Sequence, residues 1–195
     1  MESKNGNFRK YTNKNPLMRR AIGAFLDDAV SMVEATCAKS VLDVGCGEGF
    51  VSSRLCDKHL VGVDISRSAL NLAMQNSPGA AFALGDIYRL PFGEKSFDLV
   101  MAMEVLEHLE EPEKAIAELG KLSKKYCLFS VPNEPYFRIM DLLRGKNIVR
   151  LGSDVEHVNH WSEKRFAELV SGDFDIVGFK KPFPWLMALC EKRQG

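Results

Sequence analysis

Three glycines at alternate positions, Gly45, Gly47 and Gly49, follow directly on the apolar run Val41-Leu42-Asp43-Val44. A turn of this composition lets backbone come close to a ligand, because glycine has no Cβ and enters the positive-φ region without strain. Carboxylates mark the neighbouring apolar runs: Asp43 lies two places before the first glycine, Asp64 ends Leu60-Val61-Gly62-Val63, and Asp86 ends Ala81-Phe82-Ala83-Leu84-Gly85. A carboxylate at such a strand end accepts hydrogen bonds from both hydroxyls of a ribose, so the set suits a nucleoside-bearing ligand. The dinucleotide turn G-x-G-x-x-G binds a pyrophosphate and would require glycine at position 50, where Phe50 stands.

Proton chemistry falls to histidines. His157 and His160, in Glu156-His-Val-Asn-His-Trp-Ser, and His108 are candidate general bases, since imidazole titrates near neutral pH and takes a proton from a hydroxyl. The competing role is that of loop histidines hydrogen-bonded for structure. Glu104, Glu107 and His108 are spaced i, i+3 and i+4, so a helical turn would put all three on one face, as a divalent metal site requires. The same residues also suit a polar turn lining a ligand pocket with no metal, and that is the expectation.

These residues need elements to hold them. Continuous apolar runs at 41–44, 60–63, 81–84, 97–103 and 126–131 alternate with helical stretches at 50–57, 67–76 and 112–122. Unbroken rather than alternating apolar strands suit a parallel sheet covered on both faces. Pro16 fits the first turn of a helix running to about Cys37, with Leu17, Ile22, Phe25, Leu26, Val30 and Val33 as its apolar stripe. Ser66 and Glu111-Pro112 mark two further helix starts. Beyond the fifth strand a helix is expected near 135–144, a loop over 145–161, a helix from Ser162, and strands over Phe174–Phe179 and Trp185–Cys190. In an open α/β sheet the ligand lies outside the carboxyl ends of the strands, which gathers Gly45 to Gly49, Asp64, Asp86 and Met103-Glu104 around one cleft.

The succession G-x-G-x-G, Val-Gly-Val-Asp (61–64), Gly-Asp-Ile (85–87), Phe-Asp-Leu-Val (97–100) and Glu-Val-Leu-Glu-His-Leu (104–109) resembles the class I S-adenosylmethionine (SAM)-dependent methyltransferases. Within them it is similar to the type 11 family that includes quinone-biosynthesis enzymes, closely over about residues 40–131. The resemblance implies a Rossmann-like, seven-stranded, mostly parallel sheet with helices on both faces and a C-terminal antiparallel hairpin. It implies SAM as cofactor, S-adenosylhomocysteine (SAH) as product, and cofactor contacts from Asp43, Gly45, Cys46, Gly47, Gly49, Asp64, Ile65, Asp86, Ile87, Met103 and Glu104. Asp43 and the glycines would hold the methionine end, Asp64 the ribose, and Asp86 with Ile87 the adenine. Some relatives use a similar E-x-x-E-H run to bind a divalent metal, among them RNA 2′-O-methyltransferases that add a downstream histidine.

The expected organisation is one domain over 1–195, with an N-terminal helical extension (1–37) and an acceptor-side insertion (132–165). The expected reaction is O- or C-methylation of a small molecule; a non-catalytic SAM-binding subunit and a metal-assisted RNA 2′-O-methyltransferase are the alternatives. Met103-Glu104-Val105-Leu106 stands where amino-methyltransferases of nucleic acids carry Asn/Asp-Pro-Pro-Tyr/Phe, which argues against that chemistry. Tyr136, Phe137 and Trp161 either wall an acceptor pocket or belong to the core, and Tyr11 is a candidate lid over the cofactor. The 26 basic and 26 acidic residues cancel, which argues against wholesale capture of nucleic acid. Five cysteines without a C-x-x-C pair, and no apolar run of membrane-spanning length, lead to the expectation of a cytoplasmic protein with no membrane partner. The first helix's stripe suits packing on the domain or on a second copy, so oligomeric state stays open.

Overall fold

The computed structural model describes residues 15–133 and 158–193. Tyr11, Tyr136, Phe137 and His157, the helix expected near 135–144 and most of the expected 145–161 loop lie outside them. Seven strands form one sheet: β1 (Ser40–Val44), β2 (His59–Asp64), β3 (Ala81–Leu84), β4 (Phe97–Met103), β5 (Ser123–Pro132), β6 (Phe174–Lys180) and β7 (Trp185–Lys192). Their spatial order is β3-β2-β1-β4-β5-β7-β6. The first five run parallel, while β7 enters antiparallel to β5 and β6 antiparallel to β7. The Rossmann-like architecture expected from the sequence is therefore present, with its C-terminal hairpin.

Helix α1 (Pro16–Ala35) starts where Asn15 Oδ1 accepts the Leu17 N–H at 2.9 Å, with Pro16 in the first turn. It buries Met18, Ile22, Phe25, Leu26, Ala29, Met32 and Val33. Leu17 departs from the expected stripe and is 79 % exposed. The buried set steps by four and three residues from Met18, so Leu17 is rotated about 100° away from the sheet. Helix α2 (Arg67–Asn76) is capped by the Ser66 hydroxyl, α3 (Pro112–Leu122) begins at a proline, and α4 (Glu163–Val170) is capped by Ser162.

Both faces of the central strands are covered, which explains their unbroken apolar runs, whereas the edge strand β3 is mostly exposed despite its apolar sequence. In β4, Leu99, Met101 and Met103 join the cluster beneath α1, while Val100 and Ala102 join the opposite cluster with Ile116 and Leu119 of α3 and Phe166 of α4. Strand β7 divides in the same way: Trp185, Met187 and Leu189 lie on the α1 side, and Leu186, Ala188 and Cys190 on the other. Burying one side chain such as Phe25 or Ile116 stabilises by roughly 1.5–3 kcal/mol. Among the described residues no helix is long and apolar enough to cross a membrane.

A polar clamp sets the register at the amino end of the central strands. Asp98 Oδ2 accepts the N–H groups of Lys39 and Ser40 at 3.0 and 2.9 Å, and the Asp98 N–H donates to Ser40 Oγ at 2.9 Å. The Lys124 ammonium donates to Asp98 Oδ1 at 2.8 Å. That hydrogen bond, followed by the one from the Ser40 backbone, holds the Asp98 carboxyl well below the usual carboxylate range. A depressed carboxylate stabilises the fold above its unfolded pKa and loses that contribution as pH falls. Asp98→Ala is expected to lower stability by about 1–3 kcal/mol at neutral pH. Denaturant titrations should show this deficit shrinking below about pH 4; a deficit independent of pH would contradict the clamp.

Candidate functional site

The strand order reverses between β1 and β4, because the chain leaves β1 toward β2 and β3 and then crosses back to β4 on the other side. The turn after β1 lies at that switch point, with Gly45, Gly47 and Gly49 at φ of +72°, +53° and +76°. Two of the glycines are closely packed. A Cβ on Gly45 would stand 2.4 Å from Val105 Cγ2, and one on Gly49 would stand 3.1 Å from the Ala73 Cα of α2. Among the described residues, a Cβ on Gly47 would meet no atom within 4 Å.

The turn is fastened to β2. The Gly45 and Cys46 N–H groups both donate to the Val63 carbonyl, at 2.7 and 3.1 Å. The Gly47 N–H donates to Asp64 Oδ2 at 2.8 Å, and the Ser66 N–H to Asp64 Oδ1 at 2.7 Å. Asp64 thus holds the turn and the start of α2 together, and each carboxylate oxygen keeps a lone pair for a further donor. Ile65 beside it is 79 % exposed. At the end of β3, Asp86 is exposed and accepts the Tyr88 N–H at 3.0 Å, with Ile87 half-buried.

The helix expected over 50–57 is only a single 3₁₀ turn, Ser52–Arg54. Its serines are spent on other bonds: Ser52 Oγ donates to Asp43 Oδ2 at 2.7 Å and Ser53 Oγ to the Phe50 carbonyl at 2.9 Å. The N–H groups of the turn's glycines and of Cys46 are spent within the protein, on Val63, Asp64 and the Cys46 carbonyl, so the turn is held by the fold itself. Asp43 lies beneath that turn, 2 % exposed. Burial pushes its carboxyl up to about 7, against the Ser52 hydrogen bond, and the nearby Asp64 charge adds to the rise. Burial, with the charge of Asp43 beside it, also pushes the Cys46 thiol up, so this side chain packs rather than reacts.

Across the cleft, Met103 ends β4 buried and Glu104 follows at φ +57°. The Glu104 N–H donates to the carbonyl and the hydroxyl of Ser130 on β5, both at 3.1 Å, and its carboxylate accepts the Trp185 indole N–H from β7. The expectation that Glu104, Glu107 and His108 share one helical face is not met. Glu104 precedes the 3₁₀ turn Leu106–His108, Glu107 is 1 % exposed and His108 is exposed. Three residues per 3₁₀ turn cannot align i, i+3 and i+4. Among the described residues no group of three or more His, Cys, Asp or Glu is placed to hold a metal ion.

The Val158 and Asn159 N–H groups donate to the Glu107 carbonyl at 2.9 and 3.0 Å, and Asn159 Nδ2 donates to the Leu109 carbonyl at 2.6 Å. These bonds dock the histidine-bearing segment beside the turn after β4. His160 is exposed there, its carbonyl accepting from Arg165 at 3.3 Å. Trp161 proves to be core, 1 % exposed, with the Arg165 guanidinium 5.0 Å from its ring centre. Ser52, Val105, Ser130 and Trp185 went unnoticed in the sequence. Only Ser66 carried a local signal, as a helix cap two residues after an aspartate.

Residues 42–129 match the family model described as a methyltransferase domain. The chain is 36 % identical over 97 residues to a demethylmenaquinone methyltransferase of Renibacterium salmoninarum, covering 49 % of this chain and 41 % of that protein. It is 32 % identical over 107 residues to a ubiquinone biosynthesis O-methyltransferase of Hahella chejuensis, covering 51 % and 43 %. The chain thus spans about two fifths of the length of these curated relatives. Among solved structures, magnesium protoporphyrin IX methyltransferase from Synechocystis with bound SAH superposes with a TM-score of 0.72 at 18 % identity, covering 95 % of this chain and 92 % of that one. Sheet order and glycine turn give the chain the fold of that structure, and its segment 42–129 is similar to a methyltransferase domain.

The buried Asp43 carboxyl generates a stability prediction. Its folded pKa is raised, so its contribution is complete below the unfolded value of 3.8 and is lost as pH rises through about 7. Asp43→Asn keeps an acceptor for Ser52 and removes the ionisation. The variant should match the wild type near pH 4 and exceed it above pH 7, by up to roughly 4 kcal/mol. Parallel stability curves in denaturant titrations across this range would contradict the burial argument.

Proposed function

We propose that this chain transfers a methyl group from SAM to a hydroxyl oxygen or a carbon of a small-molecule acceptor. The reading is carried by the preorganised turn, in which Val63 and Asp64 fix the backbone while, among the described residues, a Cβ on Gly47 would meet no atom within 4 Å. The residues fit that cofactor. Free lone pairs on Asp64 suit the ribose hydroxyls, exposed Ile65 and half-buried Ile87 suit the faces of a purine, and Asp86 lies at the same edge. Phe50 in place of a third glycine suits a ligand without pyrophosphate.

When bound, SAM supplies a methyl carbon made electrophilic by its sulfonium. The protein's task is to align the acceptor, exclude water and receive a proton. In the proposed reaction the acceptor oxygen bonds to the methyl carbon as the carbon–sulfur bond breaks, and the sulfur keeps that electron pair. The acceptor proton passes to a base, for which His160, His157 and His108 are the candidates. The quinone-biosynthesis names of the relatives support a hydroxylated aromatic ring as acceptor.

The test is incubation with methyl-labelled SAM and a panel of dihydroxy-aromatic compounds. Label is expected in the organic extract together with equimolar SAH. Asp64→Ala should cut transfer at subsaturating SAM by at least about tenfold, as loss of charged hydrogen bonds to a ligand does. Cofactor binding without transfer to any acceptor would favour the non-catalytic SAM-binding subunit. Transfer to an RNA oligonucleotide instead would favour the 2′-O-methyltransferase.

A further inference from the structure

Glu104 stands where the ends of three strands converge. It leaves β4 in the left-handed region at φ +57°, a conformation uncommon for a side-chain-bearing residue and maintained only where the surroundings over-determine it. Ser130 on β5 fixes its backbone, and the Trp185 indole on β7 fixes its carboxylate. The next residue, Val105, packs onto Gly45, so this turn rests directly on the glycine turn across the cleft.

Trp185 is itself immobilised. It is 2 % exposed, it pairs with Pro132 across the β5–β7 ladder, and its ring lies 5.0 Å from that of Phe25 on α1. Among the apolar residues beneath α1, a phenylalanine would serve the same packing against Phe25. What tryptophan adds is one N–H, a donor with no acceptor counterpart, and that N–H goes to Glu104. The half-buried carboxylate thus has one oxygen oriented from β7, with its charge kept at the carboxyl end of β4.

Resting on the reading of this cleft as a methyl-donor site, we propose that Glu104 supplies the negative charge that selects the cationic donor over its neutral product. Trp185 is the positioning residue that keeps this charge at the donor end. SAM and SAH differ by one methyl group and one positive charge on sulfur, so packing alone separates them poorly. A carboxylate a few ångströms from the sulfonium, partly shielded from water, favours the cation, and the attraction ends when the methyl group leaves. The product is then released more readily.

The experiment is calorimetric titration of the purified chain with SAM and with SAH, for the wild type, Glu104→Gln and Trp185→Phe. Glu104→Gln should weaken SAM by about tenfold and leave SAH within about twofold. Trp185→Phe should move the ratio in the same direction by a smaller factor, while the circular dichroism spectrum stays that of the wild type. An unchanged SAM-to-SAH ratio in Glu104→Gln, with SAH binding intact, overturns the proposal. Equal weakening of both ligands in Trp185→Phe would reduce Trp185 to a packing residue and overturn its positioning role. Binding of neither ligand by the wild type would instead overturn the reading of the cleft itself.

Discussion

The carboxyl end of β2 holds the glycine turn of β1, and the site depends on that attachment. Parallel strands end with unspent backbone groups, and a turn at positive φ is a poor place for them unless something accepts their hydrogen bonds. The Val63 carbonyl takes two N–H groups and the Asp64 carboxylate takes a third, so the turn is fixed by neighbouring strand rather than by ligand. A preorganised turn spends little ordering entropy on binding. The same carboxylate anchors Ser66 and thereby α2, whose Ala73 closes against Gly49. One side chain therefore ties together the turn, the strand end and the helix behind it.

The other wall of the cleft is built from the strands beyond the switch point. Strand β7 runs antiparallel, so its first residue rather than its last reaches the functional edge, and that residue is Trp185. Its ring belongs to the apolar face beneath α1 while its N–H reaches Glu104. The N-terminal helix thus bears on the cleft through the contact of Phe25 with Trp185. At the amino ends of the same central strands, the Asp98 clamp sets β4 against β1.

Much of this was legible in the sequence because it is local. β3, β4, α2 and α3 have the expected bounds, since unbroken apolar runs, a serine cap and a proline start are signals contained within a few residues. The glycine turn and the carboxylates at strand ends were equally readable. What escaped depended on contacts between distant segments. Ser52 fits a helix by its neighbours, yet its hydroxyl goes to Asp43 on the preceding strand. Leu17 fitted the stripe by composition, but the phase set by Met18 turned it outward. E-x-x-E-H suggested one polar face, whereas Glu104 leaves β4 with left-handed backbone, Glu107 is buried and His108 is exposed. No spacing rule links position 104 to position 185.

We propose that the turn and Asp64 hold a nucleoside ligand without pyrophosphate. Parallel calorimetric titrations with SAH and with NADH test it most directly. Micromolar binding of SAH, one molecule per chain, is expected, with no heat from NADH beyond dilution. Binding of NADH, or the absence of SAH binding by a folded sample, would contradict it.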